Sequence, residues 1–225
     1  MSLRVSEIFR SVQGEGPLLG RVAVFLRLSG CNLRCVWCDT EYARSGGVEI
    51  PVSKLADKLR LSLLEIRQEK PLLVVTGGEP LLQAENLRVL LRELRDDLAP
   101  LVQVETNGTV SPEPLLDLVD YFVVSPKLSN SGNPPEARCL HPYWRALLRA
   151  PSPQIYFKFV IDRPGDIMEV MDLLREFSIP RDRVYLMPQS RGVEEQLSKL
   201  RWLTRLAIEY SLNVTPRLQY LADVR

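Results

Sequence analysis

Apolar runs rich in β-branched and aliphatic residues recur along the chain: Val22–Leu28, Leu72–Val75, Leu101–Val104, Tyr121–Val124, Ile155–Ile161 and Arg183–Met187. They are continuous rather than alternating, which predicts strands covered on both faces. Between them the period changes to that of a helix. Leu55, Leu59, Leu63 and Ile66 mark one helical face, and Leu87, Leu90, Leu94 and Leu98 mark a second. Ile167, Val170, Met171, Leu174 and Phe177 mark a third, with Asp166 and Glu169 placed as a capping pair. Leu197, Leu200, Leu203 and Ala207 suggest a fourth helix. Strand and helix in alternation argue for parallel βα units. Six units are too few to close an eight-stranded barrel. The expected fold class is therefore α/β, an open partial (β/α)6 barrel of TIM type. The stretch Leu128–Pro142 reads as irregular loop, and Pro151 to Pro153 as a second break.

Length and composition narrow the picture. The chain has 225 residues, 45% of them hydrophobic, enough for one self-sufficient domain spanning 1–225. Lys plus Arg number 29 against 28 Asp plus Glu. That balance supplies no field that would draw the chain to nucleic acid or an anionic membrane. The N-terminus lacks an apolar targeting segment, and no run is long enough to span a bilayer. Three of the four cysteines fall within eight residues, which suits metal ligation better than a disulfide framework. A reducing cytoplasm is the expected compartment.

Those cysteines carry the candidate chemistry. Cys31, Cys35 and Cys38 form a C-x3-C-x2-C loop directly after the first run. Three thiolates suit a cubane [4Fe-4S] cluster with one iron open, and fit a closed zinc site poorly because that needs four ligands. An open iron can hold the amino and carboxylate groups of S-adenosylmethionine and pass an electron to its sulfonium. The bland alternative is a Cys3His zinc module completed by Cys139 or His141. The other strand ends also carry polar clusters: Thr76 to Pro80, Glu105 to Gly108, Ser125 to Lys127, and Pro188 to Ser190. In parallel α/β folds these ends face one mouth.

The cysteine spacing resembles the signature of the radical S-adenosylmethionine superfamily, and Thr76, Gly77, Gly78, Glu79 and Pro80 resemble its glycine-rich segment. Further segments, Gln13 to Gly16, Phe25 to Cys31, Cys38 to Thr40, Ser125 to Ser129 and Leu186 to Gln189, together resemble the 7-carboxy-7-deazaguanine synthase family over nearly the whole chain. The resemblance implies a carbon–nitrogen lyase. It would convert 6-carboxy-5,6,7,8-tetrahydropterin to 7-carboxy-7-deazaguanine and ammonia, on the path to queuosine-type tRNA bases.

The same resemblance implies site roles. Trp37, Cys38, Asp39, Gly78, Ser125, Pro126, Lys127 and Gln189 would meet S-adenosylmethionine. Val12, Gln13, Gly14, Glu15, Arg27 and Thr76 would meet the pterin, with Thr40 helping to hold Mg2+. Arg27 sits on an apolar strand and needs a partner: a substrate carboxylate, or an internal carboxylate in the bland reading. Glu105 and Asn107 look pocket-facing without an assigned role. Some members of the family place their C-terminal residue in the substrate site; this chain continues through Thr215 to Arg225, so that contact is not carried over. An electron donor such as flavodoxin or ferredoxin and a homodimer are implied by analogy. The competing enzyme reading is a glycyl-radical-enzyme activase, which shares the cysteine spacing. Gln13 to Gly16 and Ser125 to Lys127 argue against it.

Overall fold

The computed structural model describes residues 1–224. Nine strands form one open sheet: β1 (Ser2–Val12), β2 (Val22–Leu28), β3 (Val48–Pro51), β4 (Leu72–Gly77), β5 (Leu101–Thr106), β6 (Tyr121–Val124), β7 (Gln154–Ile161), β8 (Val184–Pro188) and β9 (Asn213–Val214). Their order is β3-β1-β2-β4-β5-β6-β7-β8-β9. From β2 onward every neighbouring pair is parallel. The six predicted runs are β2 and β4 to β8, so the open, mostly parallel α/β architecture agrees with the sequence. Three strands are additions. β1 and β3 pair antiparallel on one edge, and two-residue β9 forms the other.

The helices are α1 (Val52–Leu64), α2 (Ala84–Asp97), α3 (Tyr143–Leu147), α4 (Asp166–Phe177), α5 (Val193–Tyr210) and α6 (Leu218–Leu221). Leu55, Leu59, Leu87, Leu91, Val170 and Leu203 belong to one buried cluster with the strand residues Leu26, Val75, Val104, Phe122 and Phe159. Burying each such side chain contributes about 1.5–3 kcal/mol, which fixes the helical layer on that face. The other face holds a small apolar cluster, Ala23, Phe25, Leu72 and Val74, with Phe9 stacked on Phe25 at 4.9 Å between ring centroids. Strand alternation puts Arg27 and Thr76 on this second face, two residues beyond Phe25 and Val74. The two are register partners.

Two local expectations change. In α5, Leu197 is 48% exposed, and the buried position is taken by Gln196, whose amide exchanges hydrogen bonds with the Arg217 backbone. Asp166 and Glu169 do not form a capping box. Asp166 Oδ2 accepts from the backbone N–H groups of Asp162 and Arg163 and from Asn130. Glu169 instead accepts from Ser129 N–H and pairs with Arg138. Both carboxylates thus brace the 129–131 turn, which in turn supports the cysteine loop.

Candidate active site

The strand ends open on a cavity of about 240 Å³. Cys31, Cys35 and Cys38 line one part of it, as free thiols. The loop that carries them is clamped from several sides. Val36 N–H donates to Ser131 O at 3.0 Å, Arg34 N–H to Asn133 Oδ1 at 2.8 Å, and Trp37 Nε1 to Asn130 O at 2.9 Å. Asn32 Oδ1 accepts from Asn107 Nδ2 at 2.9 Å. Two sulfurs also receive N–H donors, Cys31 from Leu33 N and Cys35 from Asn133 Nδ2.

The glycine pair after β4 is explained by close approach. Gly78 N–H donates to Leu28 O at 3.1 Å and Glu79 N–H to Gly30 O at 2.7 Å. A Cβ on Gly78 would stand 2.1 Å from Gly30 O, and one on Gly77 would stand 2.1 Å from Leu28 O. Only bare backbone fits there. Glu79 is fully buried and accepts from Leu81 N–H, Thr106 Oγ1 and Asn107 N–H. Burial pushes its carboxyl up, while those donors counteract the rise. Glu79 thereby locks the glycine segment to the loop after β5, a role the sequence reading left unassigned.

Lys127 bonds Ser125 O and Oγ at 2.6 and 2.8 Å and stands over the Trp37 ring. Burial pulls its ammonium below the usual lysine range.

Charged groups fill another part of the cavity. Glu15 is ion-paired with Lys158, accepts from Gln219 Nε2 at 2.8 Å, and lies 3.6 Å from Arg217. Burial acts to raise the Glu15 carboxyl, but the Lys158 and Arg217 cations and these hydrogen bonds bring it down to about 2. Lys158 lies 3.8 Å from Glu105 as well. Glu105 also accepts from Gln13 Nε2, Gln103 Nε2 and Thr76 Oγ1. Arg27 lines the cavity with its Nε bonded to Glu7 at 2.7 Å, so the internal carboxylate partner is present.

Val12, Gln13, Gly14, Glu15, Arg27, Trp37, Asp39, Thr40, Thr76, Gly78, Ser125 and Lys127 all line this one cavity with the three cysteines. Pro126 and Gln189 are not among its lining residues; the Gln189 side chain accepts from Lys199 Nζ at 3.0 Å. Arg217 and Gln219 do line it, so the C-terminal segment enters the site, although Arg225 lies outside the described residues. Gly14 makes room for Gln219, whose Oε1 would stand 2.0 Å from a Cβ there. Neither Cys139 nor His141 reaches the cavity. Cys139 Sγ donates to Pro135 O, and His141 Nδ1 accepts from Tyr143 N–H. Among the described residues no three His, Cys, Asp or Glu side chains are already gathered around one ion position. The donor set, three thiols on one clamped loop with N–H groups aimed at sulfur, fits a thiolate-held cluster that organises its ligands on binding.

An open parallel sheet with such a cysteine loop at its carboxyl mouth is the architecture of radical S-adenosylmethionine proteins, and residues 26–197 match the Radical SAM superfamily. The fold agrees. The chain superposes on a structure described as QueE from Escherichia coli with a TM-score of 0.67 and 23% identity, over 96% of this chain and 93% of that one. It also superposes on Streptococcus suis SuiB bound to S-adenosylmethionine, with a TM-score of 0.58 and 18% identity, over 83% and 48% of the two chains. In sequence it is 43% identical to the 7-carboxy-7-deazaguanine synthase of Pyrobaculum aerophilum, covering 98% of this chain and 94% of the relative. The corresponding protein of Hyperthermus butylicus is 40% identical, with 99% and 93% covered. The chain belongs to the 7-carboxy-7-deazaguanine synthase family. It is accordingly a radical S-adenosylmethionine enzyme, a class that works with a [4Fe-4S] cluster and S-adenosylmethionine.

Proposed function

We propose that this enzyme contracts the ring of 6-carboxy-5,6,7,8-tetrahydropterin to give 7-carboxy-7-deazaguanine and ammonia. One observation carries the reading: a cysteine-lined wall and a charged wall meet in a single cavity. Substrate and products differ by no net oxidation, so atoms and electrons balance with the release of ammonia alone. When bound, the cluster and S-adenosylmethionine supply reversible hydrogen-atom abstraction from carbon.

The chain's own residues position and enclose. Cys31, Cys35 and Cys38 would hold the cluster. Trp37, Asp39, Gly78, Ser125 and Lys127 would hold S-adenosylmethionine, with Pro126 and Gln189 supporting from outside the cavity lining. Val12, Gln13, Gly14, Glu15 and Thr76 would face the pterin ring, whose amide-like edge needs both donors and acceptors. Arg27 would take the substrate carboxylate on a guanidinium already oriented by Glu7. Thr40 offers one neutral oxygen to Mg2+, which takes its remaining ligands from water and substrate.

An external flavodoxin or ferredoxin as electron donor, a cytoplasmic setting, a homodimer and delivery of product to queuosine-type bases complete the proposal. Among the described residues no helix is long and apolar enough to cross a membrane. The activase reading finds no support among relatives named 7-carboxy-7-deazaguanine synthase. The test is anaerobic incubation of the reconstituted protein with the tetrahydropterin, S-adenosylmethionine, Mg2+ and a reductant. Deazapurine and ammonia should form in equal amounts; their absence with a fully loaded cluster refutes the assignment.

A further inference from the structure

Lys158 belongs to mid-strand β7, is only 5% exposed, and carries its ammonium into the substrate end of the cavity. A buried ammonium in a strand costs several kcal/mol unless its charge is answered. Here it is answered twice, by Glu15 and by Glu105. Gln13 also links the Glu105 carboxylate to the backbone of Glu15. Gln13 Nε2 donates to Glu105 Oε1 at 3.0 Å, and Gln13 Oε1 accepts from Glu15 N–H at 3.1 Å. The result is a closed ring of Glu15, Lys158, Glu105 and Gln13, and both carboxylates line the cavity. The other charged groups near it are Arg217, 3.6 Å from Glu15, and Lys127 beyond β6. Lys158 and Arg217 thus set two cations against these two half-buried carboxylates, with Arg217 also 3.6 Å from Asp39. Ionised carboxylates accept hydrogen bonds and donate none. They therefore select a ligand edge that presents several N–H groups.

We propose that Lys158 is a positioning residue that holds Glu15 and Glu105 as a paired anionic acceptor for the 2-amino lactam edge of the ligand. This rests on the pterin reading above and extends it to a second carboxylate and to the cation between the two. Without Lys158 the two half-buried carboxylates repel, and Glu15, whose carboxyl Lys158 helps hold low, takes up a proton at a higher pH. A protonated carboxyl presents a donor where the ligand also presents one.

The test is anaerobic equilibrium dialysis of 6-carboxy-5,6,7,8-tetrahydropterin against cluster-loaded protein without reductant, so that no turnover occurs, from pH 5 to pH 8. Wild type should bind with little pH dependence from this pair. Lys158→Met should bind about tenfold more weakly or worse, and the loss should deepen as pH falls. Lys158→Arg should recover most of the affinity. A Lys158→Met variant with wild-type affinity, or with a deficit equal at every pH, overturns the inference. Should Lys158→Met fail to fold, Glu105→Gln keeps the cation and its packing and must still weaken binding severalfold; wild-type affinity there also overturns it. Wild-type protein that fails to bind the pterin overturns the pterin reading itself, and this inference with it.

Discussion

Gly78→Ala isolates the contact that joins the glycine segment to the cysteine loop. The added methyl carbon would stand 2.1 Å from Gly30 O, 2.6 Å from the Gly30 carbonyl carbon and 3.0 Å from Cys31 Cβ. A carbon normally approaches an oxygen to about 3.3 Å, so the two backbones must part by roughly 1 Å. The bonds at risk are Gly78 N–H to Leu28 O and Glu79 N–H to Gly30 O, each contributing about 0.5–1.5 kcal/mol. Overpacking adds about 1–3 kcal/mol. A loss near 3 kcal/mol corresponds to a fall in Tm of roughly 6–12 °C for a chain of this size. Thermal unfolding of the metal-free protein reads the stability, and iron and sulfide content after anaerobic reconstitution reads the loop. Both should drop. Gly165→Ala is the control, since a Cβ there meets nothing within 4 Å, and its Tm should stay close to wild type. A Gly78→Ala protein that melts and loads iron like wild type would show that the close approach is not what the glycine is for.

Three other outcomes follow from the site. Cys38→Ser should lose most of its iron while Cys139→Ser keeps it, because Cys139 is exposed and bonded to Pro135 O away from the cavity; equal iron loss in both would revive a four-ligand site. Arg27→Met should raise the KM for the tetrahydropterin about tenfold or more with little change in S-adenosylmethionine affinity, and should cost about 1–2 kcal/mol because Glu7 loses a half-buried charged partner while keeping the Tyr42 hydroxyl. The Glu15 carboxyl stands lower in the folded protein, at about 2, than in the unfolded chain, so its stabilisation is present above the ordinary carboxylate range and fades as pH falls toward 2. Arg217→Met removes one of the cations responsible, so acid unfolding followed by circular dichroism should begin at higher pH; an unmoved midpoint would discount that cation.

What the sequence made legible was local or periodic. The parallel strands announce themselves because each is an unbroken apolar run, and the cysteine loop because its ligands lie within eight residues. β1 escaped because Arg4, Glu7 and Arg10 interrupt its apolar residues, as suits a strand in the antiparallel margin of the sheet. β3 and β9 are too short to show a period. Gln196 escaped because a buried amide is invisible to hydrophobic periodicity; its partner is the backbone of Arg217, 21 residues on. The ring through Lys158 was out of reach for the same reason: Lys158 and Glu15 lie 143 positions apart. A lysine inside an apolar strand was nevertheless a signal, since such a group needs an anion.

The clamp on the cysteine loop draws its partners from residues up to Asn133, whereas Lys158 and Arg217 come later in the chain. A nascent polypeptide therefore acquires the residues that bond directly to the sulfur-bearing segment before the cations that balance Glu15, and the bracing of the 129–131 turn by Asp166 and Glu169 comes between Lys158 and Arg217. Metal ligation and pterin capture are thus interleaved along one chain: Gln13 and Arg27 precede the cysteines, whereas Lys158 and Arg217 follow the segments that clamp them.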